Sequence, residues 1–299
     1  MKLVWQSKLV LLLVLPFAAA GVVLQAHWWA VNFWLAAVWT LGLSLLLGLA
    51  VVALGAATPA AAFAGTAITA SLMFSTATFT PADALPYAPW HTALVPVLAV
   101  FLLATIATRL GREKKERLGI AEKPQGRGAA QVAANLGLAA LVSSEFAQSW
   151  LAECGWFSRG SLAPALLFGV GLAALAEAAA DTVSSEMGQV AGGRPRMITT
   201  LRRVDPGTDG AISLAGTLAG VAAAGIVATA GTLALGGGMT MLTVTWAGAV
   251  FGLFFDSVLG ATLEQRGWLN NDAVNFLSTA SAAGFALGVL AILSRPGAG

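Results

Sequence analysis

The chain has 299 residues, of which 58% are hydrophobic and only 10% charged, and its mean hydropathy is +0.80. A soluble domain carries roughly a quarter charged residues, so the composition points to the bilayer, and no nucleic-acid polymer is expected as a partner. The formal net charge of +2 hides a strongly uneven distribution of Lys and Arg.

A span needs about 20 mostly apolar residues to cross about 30 Å of hydrocarbon. Nine runs qualify in chain order: 9–26, 29–55, 59–79, 93–109, 130–145, 161–186, 210–235, 241–262 and 273–294. The period-two alternation of a barrel is absent, which leaves helices as the form that satisfies backbone groups without water. The expected fold is all-α: a polytopic transmembrane helical bundle of about nine spans. Residues 1–28 read as an N-terminal transmembrane helix with signal-like features, namely Lys2, Lys8 and the small residues Ala18 to Gly21. Residues 29–299 read as one integral membrane domain carrying the catalytic groups.

Placing the N-terminus in the cytoplasm puts the loops near 110–128, 187–209 and 263–272 on the same side. Fourteen of the 16 Lys and Arg residues then lie there. The positive-inside rule accordingly predicts N-in and C-out, for a multi-pass protein of the cell (inner) membrane with its basic loops cytoplasmic. The run at 109–117 reads as a solvated, positive-inside helix. Pro-rich residues 80–92, with Asp83, and the GGGMT turn at 236–240 read as external loops. The Ala/Gly-rich 210–235 run lets helix backbones approach closely. Trp28, Trp29, Trp90, Trp156 and Trp268 fall near span ends as an aromatic belt. Cys154 is the single cysteine, so neither an internal disulfide nor a cysteine metal cluster is available. His27 and His91 are too isolated to pair on a metal.

The chemistry concentrates in acids that interrupt apolar runs. In AEAAADTVSSEMGQ (176–189), a helical rotation of about 100° per residue puts Glu177, Asp181, Ser184, Ser185 and Gly188 on one face. Glu186 lies about 140° from Asp181 and joins that face only if the helix unwinds near Gly188, Gly192 and Gly193. Asp256 interrupts the 241–262 run, and Asp272 opens the last one behind a cap at Asn270 and Asn271. Ionised acids facing lipid cost several kcal/mol, so these should face the bundle or a polar cavity. Asp181, Asp256 and Asp272 all lie toward the cytoplasmic ends of their helices, where the basic loops converge. Carboxylates, arginines and glycine-rich loops together suit a divalent cation and a polyphosphate. No GxxxxGK[ST] occurs, which excludes a P-loop. Ser184 and Ser185 have no nearby His to form a nucleophile system. Thr199, Thr200 and Thr208 lie in ITT (198–200) and PGTDG (206–210), segments open to both phosphate contact and turn formation.

ADTVSSEMG (180–188), MITTLRRVDPGTDGAISLAGTLAG (197–220), DSVLGATLEQ (256–265), NNDAVNF (270–276) and KPQGRGAAQVAANLG (123–137) resemble the motifs of the phytyl-phosphate kinase-like integral membrane family, long catalogued only as a domain of unknown function. ATPAAAFAG (57–65) and FLLATIATRLGREKK (101–115) extend the resemblance over roughly 40–294. It implies CTP-dependent phosphorylation of a prenyl monophosphate to the diphosphate, with Mg²⁺ as cofactor. It also implies kinship with membrane CTP-using enzymes such as dolichol kinase and phosphatidate cytidylyltransferase. By motif position, Asp181, Ser185 and Glu186 fall in the acidic helix motif, and Asp256 and Ser257 in the second acidic motif. Asn271, Asp272 and Asn275 belong to the last motif, and Arg127, Gln131 and Asn135 to the first loop motif. Val183 and Ser184 stand where the family usually has an aromatic residue and Ala, and Asp209 where a serine is common.

The resulting expectation assigns catalysis to Asp181, Asp256 and Asp272 and the metal to Asp181, Glu186 and Asp256. Arg127, Arg202 and Arg203 would offset phosphate charge. Gln131, Asn135, Ser185, Thr199, Thr200, Thr208, Ser257, Asn271 and Asn275 would contact nucleotide or substrate. The alternatives are a cytidylyltransferase making a CDP-lipid and a transporter or flippase that uses the acids for ion coupling.

Overall fold

The computed structural model describes residues 4–77, 87–117, 119–120, 126–154, 164–191 and 193–294. Lys2, Asp83, Lys123, Trp156, Arg159, Gly192 and the start of the 80–92 loop lie outside them. Among these described residues eleven α-helices follow in order: α1 (Val4–Asn32), α2 (Trp34–Ala53), α3 (Pro59–Ala77), α4 (Leu94–Arg109), α5 (Arg112–Arg117), α6 (Ala129–Ser143), α7 (Glu145–Glu153), α8 (Pro164–Val190), α9 (Leu214–Ala234), α10 (Met239–Leu259) and α11 (Asn271–Leu293). Between α8 and α9 sits a two-stranded antiparallel hairpin, β1 (Arg196–Met197) with β2 (Ala211–Ile212), in which Arg196 faces Ile212. The protein is thus an all-α polytopic bundle.

Each of the nine apolar runs corresponds mainly to one helix, although the run 29–55 also takes in the end of α1. Seven of these are long and apolar enough to cross a membrane, while α4 and α6 are shorter apolar helices. At 1.5 Å per residue, α4 and α6 rise only about 24 and 22 Å, short of the hydrocarbon thickness. Both pack into the bundle, α4 against α8 and α9 and α6 against α1, α3, α8 and α11.

Helix ends follow local chemistry. The Ser213 hydroxyl accepts from Gly216 N–H at 3.1 Å to start α9, and Asn270 Oδ1 accepts from Ala273 N–H at 2.9 Å to start α11, the cap expected from the sequence. Pro16 sits within α1, which continues through it, as membrane helices tolerate.

The hub is α8, which packs against α4, α6, α9, α10 and α11. Its apolar window is 83% buried, against 17% for α1, so α8 presents its acids to protein while α1 offers its leucines to the bilayer. Small residues make the packing close: Ala173, Ala174, Ala176, Ala179 and Ala180 are buried in the central cluster.

Hydrogen bonds define the two ends of the bundle. At one end, Arg127 N–H donates to Ala56 O at 3.0 Å, Lys114 Nζ to Val190 O at 2.8 Å, and Gln6 Nε2 to Trp268 O at 2.8 Å. This is the basic end. At the other, His91 Nδ1 lies 3.1 Å from Ala234 O, and Trp29 stacks edge-on with Tyr87.

Candidate functional site

A polar cavity of about 230 Å³ opens at the basic end among α8, α10, α11 and the hairpin. That is far more than the roughly 10–15 Å³ that admits one water. Asp181, Ser184, Ser185, Gly188 and Gln189 line it from α8, and Asp256 and Ser257 from α10. Asn271 and Asn275 contribute from α11, and Thr208, Asp209 and Ser213 from the loop that follows β1 and the start of α9. Seven residues anticipated from sequence therefore meet here: Asp181, Ser185, Thr208, Asp256, Ser257, Asn271 and Asn275.

The acids of this site are under-neutralised. Asp256 Oδ2 and Gln189 Oε1 are buried with no hydrogen-bond partner among the described residues. Behind them Glu177 is 1% exposed, with Oε1 equally unpartnered. Ser185 Oγ reaches Asp181 Oδ1 only at 3.5 Å. Arg127 lies within electrostatic reach of Asp181. A buried polar atom without a partner costs about 1–3 kcal/mol, more for a charged group, so this arrangement suits a cation or donor brought by a ligand.

The floor is shaped by backbone. After α10 the chain makes a π-helical turn, Gly260–Glu264, a feature common at functional sites. It carries Glu264 to the cavity wall. Gly210 has a positive φ of 74°, and a Cβ there would fall 2.2 Å from Ala261 N, so only glycine lets the hairpin loop rest on this turn. Gln265 Nε2 donates to Asp209 O at 2.9 Å and fixes the same contact. Partial burial raises the Asp209 carboxyl above the ordinary range.

Other anticipated residues go elsewhere. Helix α8 stays regular through Val190, so Glu186 points away from Asp181. Its Oε2 pairs with Lys115 Nζ at 2.5 Å, and its Oε1 accepts from Thr108 Oγ1 at 3.1 Å. The expected metal role of Glu186 required unwinding that does not occur. Lys115 also corrects the reading of 109–117 as wholly solvated: it is 1% exposed and donates to Ala107 O and Thr108 O as well. Asp272 accepts from Ser7 Oγ at 2.6 Å and faces α1 rather than the cavity. Arg202, Arg203, Thr199 and Thr200 are exposed in the β1–β2 connection and do not line it. Gln131 accepts from Gly128 N–H at 2.8 Å and closes the first turn of α6.

Sequence reasoning overlooked Glu264, Gln189 and Ser213 as cavity residues and Lys115 as a buried cation. Gly260 was the available signal for the first, since a glycine after a long apolar run marks a break in regular helix.

Arg127 and Asn135 line a second cavity, apolar, of about 180 Å³, beside the first. Asn275 Nδ2 donates to Asn135 Oδ1 at 3.0 Å, so the two cavities share a polar partition.

The donor set fits Mg²⁺. Among the described residues no three His, Cys, Asp or Glu side chains are grouped to hold a metal alone. Mg²⁺ usually takes one or two carboxylates and completes its shell with substrate phosphates and water, and Asp181 and Asp256 would offer two carboxylates from one cavity.

Comparison with known proteins places these features in a lineage. An uncharacterised membrane protein of Synechocystis is 36% identical over 211 residues, covering 67% of this chain and 74% of that one. One from Methanocaldococcus jannaschii is 36% identical over 186 residues, covering 62% and 71%. Protein VTE6, chloroplastic, of Arabidopsis thaliana is 32% identical over 188 residues, covering 61% of this chain and 54% of that protein. No solved structure matches the chain. The family described as integral membrane protein DUF92 matches residues 41–283, and the chain belongs to that family, the one its motifs resemble.

Proposed function

We propose that the protein is a CTP-dependent kinase that converts a prenyl monophosphate to the diphosphate at the cytoplasmic face of the cell membrane. The observation that carries this reading is the convergence of Asp181 and Asp256 in one polar cavity, with Asp256 Oδ2 buried and unpartnered. The excess of basic residues at the same end supports N-in, C-out orientation.

The reacting groups are phosphates. An oxygen of the lipid monophosphate attacks the γ-phosphorus of CTP, the bond from that phosphorus to the β,γ-bridging oxygen breaks, and CDP leaves. The nucleophile is already anionic, so no strong general base is needed, and positioning with charge neutralisation carries the rate. Asp181 and Asp256 would hold Mg²⁺, which neutralises charge on the nucleotide phosphates. Asn271, Asn275, Ser185, Ser257 and Thr208 offer hydrogen bonds to phosphate or ribose oxygens. Arg127 lines the apolar cavity within electrostatic reach of Asp181 and offsets charge on the incoming lipid phosphate.

The test is purified protein with labelled CTP and a panel of prenyl monophosphates, with both products identified. CDP and prenyl diphosphate are expected. Release of pyrophosphate with a CDP-lipid would make the protein a cytidylyltransferase, and substrate flux across liposomes without CTP would make it a transporter.

A further inference from the structure

The apolar cavity has a construction of its own. Helix α2 packs on α1 and α3, and α4 packs on α8 and α9, while α2 and α4 share no extensive contact. The space between them is floored by α3 and α6. Leu47 and Val51 face it from α2, Phe101 and Ala104 from α4, and Gly65 and Val132 from the floor. Measured by helix rise, the stretch from Val97 to Arg109 makes this cleft about 18 Å deep. Its inner part is apolar, and its basic end carries Arg109, Arg112 and Arg127.

Those arginines are placed rather than incidental. Gly126 has φ of 72°, and a Cβ there would fall 2.5 Å from Ala56 C, so the glycine lets 126–127 lie against residues 56–58. Arg127 N–H then donates to Ala56 O and its carbonyl accepts from Thr58 N–H, both at 3.0 Å. Arg109 Nη2 donates to Leu54 O at 2.9 Å, and Arg112 Nε pairs with Glu116 at 2.8 Å. Arg109 and Arg112 each carry five N–H donors, of which the bond to Leu54 O and the half-exposed, weak Arg112–Glu116 pair use few, so donors remain on these two for an incoming phosphate.

We infer that the cleft between α2 and α4 is the binding site of a single-chain lipid monophosphate, which enters from the bilayer with its chain between Leu47, Val51 and Phe101 and its phosphate on Arg109, Arg112 and Arg127. The apolar walls fit a hydrocarbon chain, and three cations at one end fit a phosphate. The Asn135–Asn275 bond across the partition between the two cavities separates this occupant from bulk membrane lipid, and a phosphate on Arg127 lies within electrostatic reach of Asp181. The inference rests on the kinase reading only in naming the lipid as the acceptor.

The experiment uses the intact protein in nanodiscs without nucleotide. A long-chain isoprenyl monophosphate with a photoactivatable diazirine at the tail end is crosslinked, and the labelled residues are mapped by mass spectrometry. Labels are expected on α2 and α4 at the cleft, competed by an unlabelled single-chain alkyl monophosphate. An alkyl alcohol and phosphatidic acid should compete poorly. Arg109→Gln with Arg112→Gln should lower labelling by about tenfold or more. Gly65→Leu should do so independently: a Cβ at Gly65 meets only Val132 Cγ1 at 3.7 Å, so the new side chain enters the cleft without straining the bundle. Labelling spread over the lipid-facing leucines of α1 and α9, or equal competition by phosphatidic acid, would overturn the assignment. Cleft labelling without CDP formation when CTP is added would sink the kinase reading alone. Normal kinase turnover in Gly65→Leu, with labels elsewhere, would sink the cleft alone.

Discussion

Of the three acids on helix α8, Asp181 and Glu186 are carried to opposite surroundings. On one side Glu186 is clasped by Lys115, itself 1% exposed and bonded to two carbonyls of α4. On the other, Asp181 and Asp256 share a cavity in which Ser185 Oγ reaches Asp181 only at 3.5 Å and Asp256 Oδ2 has no partner among the described residues. Burial alone therefore says little about an acid in a membrane bundle. What separates Glu186 from the two cavity acids is whether the protein itself completes their hydrogen bonds. The clasp joins the wholly charged α5 to the bundle, and the cavity leaves its oxygen atoms for something brought from outside.

The sharpest break of this comparison is a substitution on each side. Asp256→Asn should lower CDP formation by about 10³-fold, because it removes a charge that acts on the transferring phosphate. Thermal unfolding of the same variant should be unchanged or slightly raised, since an unpartnered carboxylate is relieved. An inactive variant that also unfolds early would place Asp256 with the structural acids. The converse holds for the clasp. Lys115→Met strands Glu186 and should destabilise the protein by about 3 kcal/mol, read as a lower unfolding temperature, while turnover per folded molecule is retained. Adding Glu186→Leu to Lys115→Met should restore most of that loss, because an apolar pair replaces an ionic one of similar size.

A smaller effect tests the shape of the cavity rather than its charge. Gly210→Ala forces the hairpin loop off the π-helical turn, since its Cβ has no space beside Ala261. Displacing Thr208 and Asp209 by about 1 Å should raise the KM for CTP by roughly 10–100-fold with lesser change in unfolding temperature. Wild-type kinetics in this variant would detach the hairpin from the site.

The same contrast explains how much was legible in the sequence. Each apolar run named its helix, because hydrocarbon thickness sets a length that composition reveals directly. Asp181, Ser185, Asp256, Ser257, Asn271 and Asn275 were found because each stands out against apolar neighbours or within a distinctive motif. Glu186 stood out equally, and its misassignment came from expecting Gly188 to unwind a helix that tertiary packing keeps regular. Lys115 was hidden in a basic run, RLGREKKERLG, where local pattern favours solvent and only the fold of α5 against α8 buries one cation of several. Asp272 matched the others in depth, but depth does not give azimuth, and its side chain turns to Ser7 on α1. The cleft between α2 and α4 had no local signature at all, since it is made by two helices that do not pack on each other.

Asp209 offers the least effect and the cleanest sign. Partial burial raises its carboxyl, so the folded state holds the proton more tightly than the unfolded chain does. Stability from this group is therefore fully present at acid pH and is lost as pH rises through the raised value. Asp209→Asn removes the titration. The variant should match wild type in acid and unfold at slightly higher temperature at neutral pH, with the two curves parting as pH climbs above the ordinary carboxylate range. Asn has no charge to repel a nucleotide phosphate entering beside Thr208, so the KM for CTP should fall modestly at neutral pH and not in acid. A variant whose KM shifts equally at both pH values would show that size or hydrogen bonding at this position matters rather than charge, and would leave the loop's acid outside the electrostatics of the cavity.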